Sequence, residues 1–305
     1  MTAPERQEAP KLQEAPDLQE AVGEKVEHPL RETWRMFAAN RAALAGLVIL
    51  TAIVLAALIG PPLYGVDPFD IVWAPFAPPG DGGIPLGTDY LGRDILAGVL
   101  QGGRATLAVG AAAAVITLVI GLIVGALAGY YGGWVEEALM RVTEFFQVLP
   151  PLLLAMVLVT LFSPELTTIA VAIGIVSWTS VARLTRAEFL RIKQLEYVKA
   201  ARSIGARDRR IIWVVVLPNA LPPLIVAAAL AIGVSILFEA GLSFLGLGDP
   251  DVMSWGLMIG SNRKDFLEAW WPVTFPGIAI FLTVLSVSLI GDGLNDALNP
   301  KLRQR

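Results

Sequence analysis

The sequence predicts an all-α membrane protein of six transmembrane helices with both termini in the cytoplasm. Three observations predict it. Of 305 residues, 55% are hydrophobic and 16% charged, whereas a soluble domain carries about 25% charged residues. Charge-free stretches recur at 42–66, 105–135, 145–164, 166–182, 211–238 and 269–291. A helix needs about 20 apolar residues to cross about 30 Å of hydrocarbon, and lipid offers no partner to a backbone that is not helical. Finally, Lys and Arg crowd the segments 1–41, 131–141, 185–216 and 293–305, which places these on the cytoplasmic side.

Residues 1–30 read as a disordered acidic cytoplasmic tail. Gln-Glu-Ala-Pro occurs at 7–10 and 13–16, and Leu-Gln-Glu-Ala at 12–15 and 18–21. So few large apolar side chains cannot offset the entropy of ordering. The tail has no apolar core of the kind a signal peptide needs. It holds seven acids and three bases and carries the whole net charge of −4; the other 275 residues hold 20 bases and 20 acids. An acidic balance does not favour nucleic acid as a partner. There is no cysteine, and the single histidine, His28, lies in the tail. Disulfides, Cys/His metal sites and a histidine base inside a membrane core are therefore excluded.

An N-terminal transmembrane helix occupies 31–62, with its apolar span at 42–61. An outer loop follows at 63–104, holding Asp89, Arg93 and Asp94. Asp94 is placed to cap a short amphipathic helix carrying Ile95, Leu96, Val99 and Leu100. This region reads either as a folded interfacial turn or as part of a dock for a partner outside. A core at 105–295 holds spans near 105–130, 142–162, 166–184, 218–243 and 273–292.

Within the core, Gly121, Gly125 and Gly129 form two overlapping GxxxG steps, which fit close packing of another helix. The fourth span is short and carries Ser177, Trp178, Thr179 and Ser180, so it is expected inside the bundle. Glu144 is expected to pair with Arg141 at i, i+3. Glu239, near the outer end of the fifth span with Ser243 beyond it, reads as a structural hydrogen-bonding acid or as a gate and ligand contact. Trp270 and Trp271 fit an interfacial anchor. Asp292 and Asp296 follow the last span, and Asp296 is expected to pair with a base of the tail 296–305. No second intramembrane aspartate accompanies Asp292, which argues against an aspartyl protease.

The segment 185–216 is the most informative. It has eight bases between Arg186 and Arg210. Leu190, Gln194, Tyr197, Ala201 and Ile204 form one helical stripe. Gly205 suits a helix stop, Arg207 to Val214 fit a second short helix, and Leu217-Pro218 opens the fifth span. Small Ala200 and Ala201 between bulky Tyr197 and Ile204 suit insertion into a cleft on another protein. A basic helix pair on anionic headgroups is the alternative.

Ala200-Ala201, three residues, Gly205 and then Leu217-Pro218 resemble the signature loop of permease subunits of ATP-binding-cassette importers. Lys199 stands where that pattern has Glu, and Val215 where it has Ile; Glu196, one turn earlier, offers a carboxylate instead. Further stretches resemble the dipeptide, oligopeptide and nickel branch, specifically the second permease of the pair. These are Pro85-Leu86-Gly87-Thr88-Asp89 with Leu91-Gly92-Arg93-Asp94, Leu217-Pro218-Asn219, Glu239-Ala240, Leu242 to Gly248, Ser254-Trp255-Gly256, and Gly291-Asp292-Gly293-Leu294 to Asn299-Pro300.

The resemblance implies a five-helix importer core behind one N-terminal helix, in a prokaryotic inner membrane. It implies a homologous permease as heterodimer partner, two cytoplasmic ATPase subunits and an outer substrate-binding protein. ATP and Mg would sit on the ATPases, with no cofactor on this chain, which lacks a phosphate loop. ATPase coupling would fall to Glu196, Tyr197, Ala200, Ala201, Arg202, Gly205, Ala206, Leu217 and Pro218. Outer-gate or binding-protein contacts would fall to Asp89, Arg93, Asp94, Glu239, Ser243 and Trp255. Peptide, nickel-chelate and glutathione cargo all fit. A stand-alone secondary transporter or channel remains a rival, although ionisable residues in the spans are few. A membrane hydrolase is disfavoured because Ser243 has no evident base.

Overall fold

A computed structural model describes residues 29–298. The expectations for the acidic tail, and for the tail bases Lys301, Arg303 and Arg305, lie outside the described residues. The described chain is helical, with two isolated β-bridges, Ile71 to Arg93 and Thr88 to Asp94, inside one loop.

The N-terminal helix is two helices, α1 (Pro29–Ala39) and α2 (Arg41–Tyr64). Asn40 separates them because its side-chain oxygen accepts from the Ala42 and Ala43 N–H groups, capping α2. The last turn of α2 contains Pro61 and Pro62, which have no N–H to give to the carbonyls of Ala57 and Leu58.

α3 (Ile95–Tyr131) is the long central helix, 37 residues and about 55 Å. It begins ten residues before the expected span. Asp94 Oδ1 caps it, accepting from Leu96 N at 2.7 Å and Ala97 N at 3.1 Å. The sequence boundary fell at 105 because Arg104 interrupts the apolar run. The structure accommodates that charge: Arg104 Nε donates to Ala57 O at 2.7 Å and Nη2 to Leu58 O at 2.6 Å. One guanidinium thus serves the two carbonyls that the proline pair left open.

The expected third span, 142–162, is broken. α4 (Gly133–Val148) and α5 (Pro151–Phe162) meet at an angle of 86°. Pro150 and Pro151 supply no N–H and force the residue before each out of the helical region. α5 alone, at 12 residues or about 18 Å, is too short to cross a bilayer. Among the described residues there are thus five helices long and apolar enough to cross, or six spans if the bent pair counts as one.

α6 (Leu166–Ile192) is the most buried of the long helices. α7 (Glu196–Ser203) is short and lies across one end of the bundle, here called the basic end. α8 (Asp208–Arg210), a π-helical stretch Ile211–Val216 and α9 (Leu217–Leu242) run on as one continuous helix, so the expected second short helix is the first turns of the long one. A second π-helical turn, Ser243–Leu247, ends it. α10 (Trp255–Asn262) is a short helix at the opposite end, and α11 (Trp271–Leu298) closes the bundle.

α3 packs most closely against α6 and also touches α9 and α2; α11 packs on α2 and α9. The α3/α6 approach is made by the glycine stripe. A Cβ on Gly121 would lie 2.6 Å from Val181 Cβ, one on Gly125 2.6 Å from Thr185 Cβ, and one on Gly129 2.7 Å from the Arg186 carbonyl. No side chain fits there, so the stripe serves packing inside the chain.

Candidate functional site

At the basic end, α6 stops at Ile192 and the chain turns through Lys193 to Leu195 before α7 begins. The expected continuous stripe from Leu190 to Ile204 is therefore split between two helices. Lys193 explains the position of the turn. Its ammonium donates to Gly129 O at 2.7 Å and Tyr130 O at 3.3 Å, at the C-terminal end of α3. A cation there satisfies free carbonyls and the helix dipole.

α7 ends in a Schellman motif. Ala206 N donates to Ala201 O at 3.1 Å and Gly205 N to Arg202 O at 3.0 Å, with Gly205 at φ +82°. Only this φ demands glycine, since a Cβ on Gly205 would meet nothing within 4 Å.

α7 has two faces. Val198 is fully buried, packed with Tyr130, Phe189, Ile192, Ile211, Val216, Ala220 and Leu224 from α3, α6 and the 208–242 helix. On the outside, Glu196, Tyr197, Ala200, Arg202 and Gly205 are exposed, and Ile204 is 86% exposed. Ala201 and Ala206 are half-buried. Glu196 pairs with Lys199 at 2.9 Å on the surface. Leu217 is half-buried and Pro218 exposed, on the helix that follows.

A polar brace holds α7 to the bundle. Tyr130 Oη donates to Asp208 Oδ1 at 2.6 Å, and Arg202 lies over the Tyr130 ring at 5.8 Å with Nη2 3.4 Å from the hydroxyl. Beside it, Arg186 of α6 pairs with Glu136 of α4. Sequence reasoning missed Tyr130, Asp208, Lys193, Arg186 and Glu136. Their partners are 50 to 78 residues away, and no local spacing announces such pairs. Arg141 and Glu144 do approach, at 3.7 Å, on an open surface where an ion pair contributes little.

The opposite end holds the other expected residues. Asp89 Oδ1 accepts from Leu91 N and Arg93 N, both at 2.8 Å. Burial pushes the Asp89 carboxyl above its usual range, while those N–H groups and the Arg93 charge pull it back. Arg93 lies over the Phe69 ring at 5.2 Å. Asp94, besides capping α3, accepts from Tyr64 Oη at 2.6 Å. Asp89, Arg93 and Asp94 line a cavity of about 230 Å³ with Tyr90, Met258 and Asn262.

Glu239 is 1% exposed, and its Oε1 accepts from Ser243 Oγ at 2.8 Å. Its Oε2 is buried and has no hydrogen-bond partner among the described residues. Trp255 is 2% exposed, and its Nε1 donates to Val99 O at 2.8 Å. Its ring fills the notch left by Gly102 and Gly103.

Trp271 is not an interfacial anchor. It is buried, and its indole N–H donates to Thr88 O at 3.0 Å; only Trp270 is half exposed. Asp296 accepts from Asn40 Nδ2 at 3.1 Å, tying α11 to the start of α2.

The chain matches two families. Residues 121–304 match "Binding-protein-dependent transport system inner membrane component", and 28–79 match "N-terminal TM domain of oligopeptide transport permease C". It is 42% identical to the di/tripeptide transport system permease protein of Pseudomonas aeruginosa, over 90% of this chain and 93% of that one. It is 42% identical to the dipeptide transport system permease protein of Escherichia coli K12, over 90% and 94%. A glutathione transport system permease of Pectobacterium atrosepticum is 39% identical, over 92% and 94%. The fold resembles a chain of the inward-facing MetNI methionine ABC transporter, with TM-score 0.55 and 19% identity over 66% of this chain and 96% of that one. The chain thus belongs to the inner-membrane components of binding-protein-dependent transport systems, the multi-pass permease subunits of ATP-binding-cassette importers.

Proposed function

We propose that this chain is one membrane-spanning half of an ATP-driven importer of di- or oligopeptides. The relatives that cover nine-tenths of it carry dipeptide and di/tripeptide transport in their names. The chain itself makes and breaks no bonds. ATP and Mg sit on two ATPase subunits at the basic end, which faces the cytoplasm. A homologous permease completes the pathway, and an outer binding protein docks at the loops around Asp89, Arg93, Asp94 and Trp255.

One observation carries the coupling role. α7 packs on the bundle through Val198 and offers Tyr197, Ala200 and Ile204 outward, with half-buried Ala201 beside them, between the ends of α6 and the 208–247 helix. A push on α7 therefore tilts both helices as bodies, which is the kind of rigid rearrangement that switches access. Glu196, Arg202, Gly205, Ala206, Leu217 and Pro218 shape this lever and its hinge.

The test is uptake of a radiolabelled dipeptide into proteoliposomes holding the complete importer. Ala201→Glu and Gly205→Pro are expected to abolish uptake and weaken ATPase association while the outer binding protein still captures peptide. Unchanged uptake in both variants would overturn the coupling role. The same assay with glutathione and with a nickel chelate identifies the cargo.

A further inference from the structure

Two hollows at the basic end run into one another and differ in chemistry. The first, about 260 Å³, is an apolar groove lined by Leu122, Ile123, Ala126 and Leu127 of α3 and by Ile212 and Leu217 of the helix that follows α7. Its α3 lining extends from Leu122 to Tyr131, about 14 Å at the helical rise. The second, about 380 Å³, is lined by Arg207, Arg209, Arg210, Trp213 and Val214. Arg209 and Trp213 line both.

The three arginines are exposed, and their side chains make no hydrogen bond or ion pair among the described residues. Asp208, which lies among them in sequence, is engaged by Tyr130, and no acid lines either hollow. Exposed aromatic side chains stand at the same end: Tyr131, Trp213 and Trp134. Tyr and Trp collect where hydrocarbon gives way to headgroups. The outward residues of α7, Tyr197, Ala200 and Ile204, line neither hollow, so this surface is separate from the face offered for coupling.

We infer that the two hollows together hold one anionic phospholipid of the leaflet at the basic end. An acyl chain lies in the groove against α3, and the phosphate sits among Arg207, Arg209 and Arg210. Guanidinium groups meet a phosphate with paired, charge-assisted donors. An apolar groove and unpaired bases that share Arg209 and Trp213 fit an amphiphile. A soluble anion, or an acidic side chain of a protein partner, would fill the basic hollow alone and leave the groove open. The lipid bridges α3 and the start of the helix that follows α7.

The test is native mass spectrometry of the complete importer, released from nanodiscs that hold equal amounts of phosphatidylglycerol and phosphatidylcholine with identical acyl chains. The importer is expected to retain phosphatidylglycerol in preference. Arg209→Gln combined with Arg210→Gln should lower that preference about tenfold, since each base near an anionic headgroup adds its own attraction. Arg209→Gln alone repeats the test if the double variant fails to assemble. Arg141→Gln, at an exposed base of α4 that lines neither hollow, should leave the preference unchanged. Ala126→Phe fills the groove and should displace the lipid with all three arginines in place. Ile123→Trp, at an exposed position, serves if the Phe variant does not assemble.

Equal retention of the two lipids, or retention indifferent to both the arginine and the groove variants, overturns the inference. Displacement of the lipid by saturating glycerol 3-phosphate would show a site for free anions. Retention only after the ATPase subunits are stripped away would assign the arginines to those subunits. Either result also overturns it.

Discussion

Arg104 shows how one side chain can mislead a reading of composition and still fit its place. A lone cation beside an apolar run marks a loop boundary by every hydropathy argument. Here it lies inside α3, because Pro61 and Pro62 leave two carbonyls of α2 without donors and a guanidinium presents paired donors. Arg104→Ala is expected to destabilise the permease by about 2–4 kcal/mol, since two carbonyls lose their partner. Arg104→Lys should recover only part of that, because an ammonium cannot reproduce the planar fork. The midpoint of thermal unfolding of the detergent-extracted complex measures both; equal midpoints for all three proteins would refute the bridge.

Glu239 is a second such case. Glu239→Gln keeps the oxygen that Ser243 donates to and is expected to assemble and transport as before. Glu239→Ala leaves the buried Ser243 hydroxyl without its partner and opens a cavity, at about 2–4 kcal/mol. Loss of transport in the Gln variant with assembly intact would show that the carboxylate charge matters. Asp89 follows the same logic. Asp89→Asn retains the acceptor for Leu91 and Arg93 and removes a desolvated charge, so the loop should hold, as protease resistance of the outer face would show.

At the scale of the element, breaks and contacts are decided by different features. Asn40, Asp94 and Gly205 end or begin helices through local hydrogen bonds, and all three stand in plain view in the sequence. Asp94 and Gly205 act as the cap and stop that their residue types predict, although Asp94 caps a 37-residue helix and not a short one. The Pro150-Pro151 bend is equally local, but the charge-free run around it masks the break in a hydropathy reading. The glycine stripe of α3 sets the distance to α6. Gly125→Val is expected to cost about 1–3 kcal/mol or more through overpacking against Thr185, read as lost assembly of the complex. A stripe that served only contacts between chains would leave the isolated chain's thermal midpoint unchanged.

For the molecule as a whole, the bundle couples its two ends through long helices that share one middle. α3 touches the basic end through Tyr130 and the opposite end through its Asp94 cap. Tyr130→Phe removes the hydroxyl that links α3 to Asp208 while keeping the ring that fills the core. It is expected to lower transport and leave the folded yield unchanged, measured as the ratio of uptake to assembled complex. Unaltered uptake would show that the brace is dispensable to coupling.

Apolar runs, the asymmetry of Lys and Arg, and the motif residues from Ala200 to Pro218 were all local properties of the chain. By itself the sequence therefore determined a polytopic helical membrane protein, its family and the short helix within the basic loop. Those features follow from burial in lipid and from caps and stops a few residues long. The tertiary structure alone decided which polar residues meet. Arg104 found carbonyls 46 and 47 residues away, and Tyr130 found Asp208. The physical reason is that buried polar groups must be satisfied across helices, and the faces that meet are set by packing, which no periodicity along one helix records.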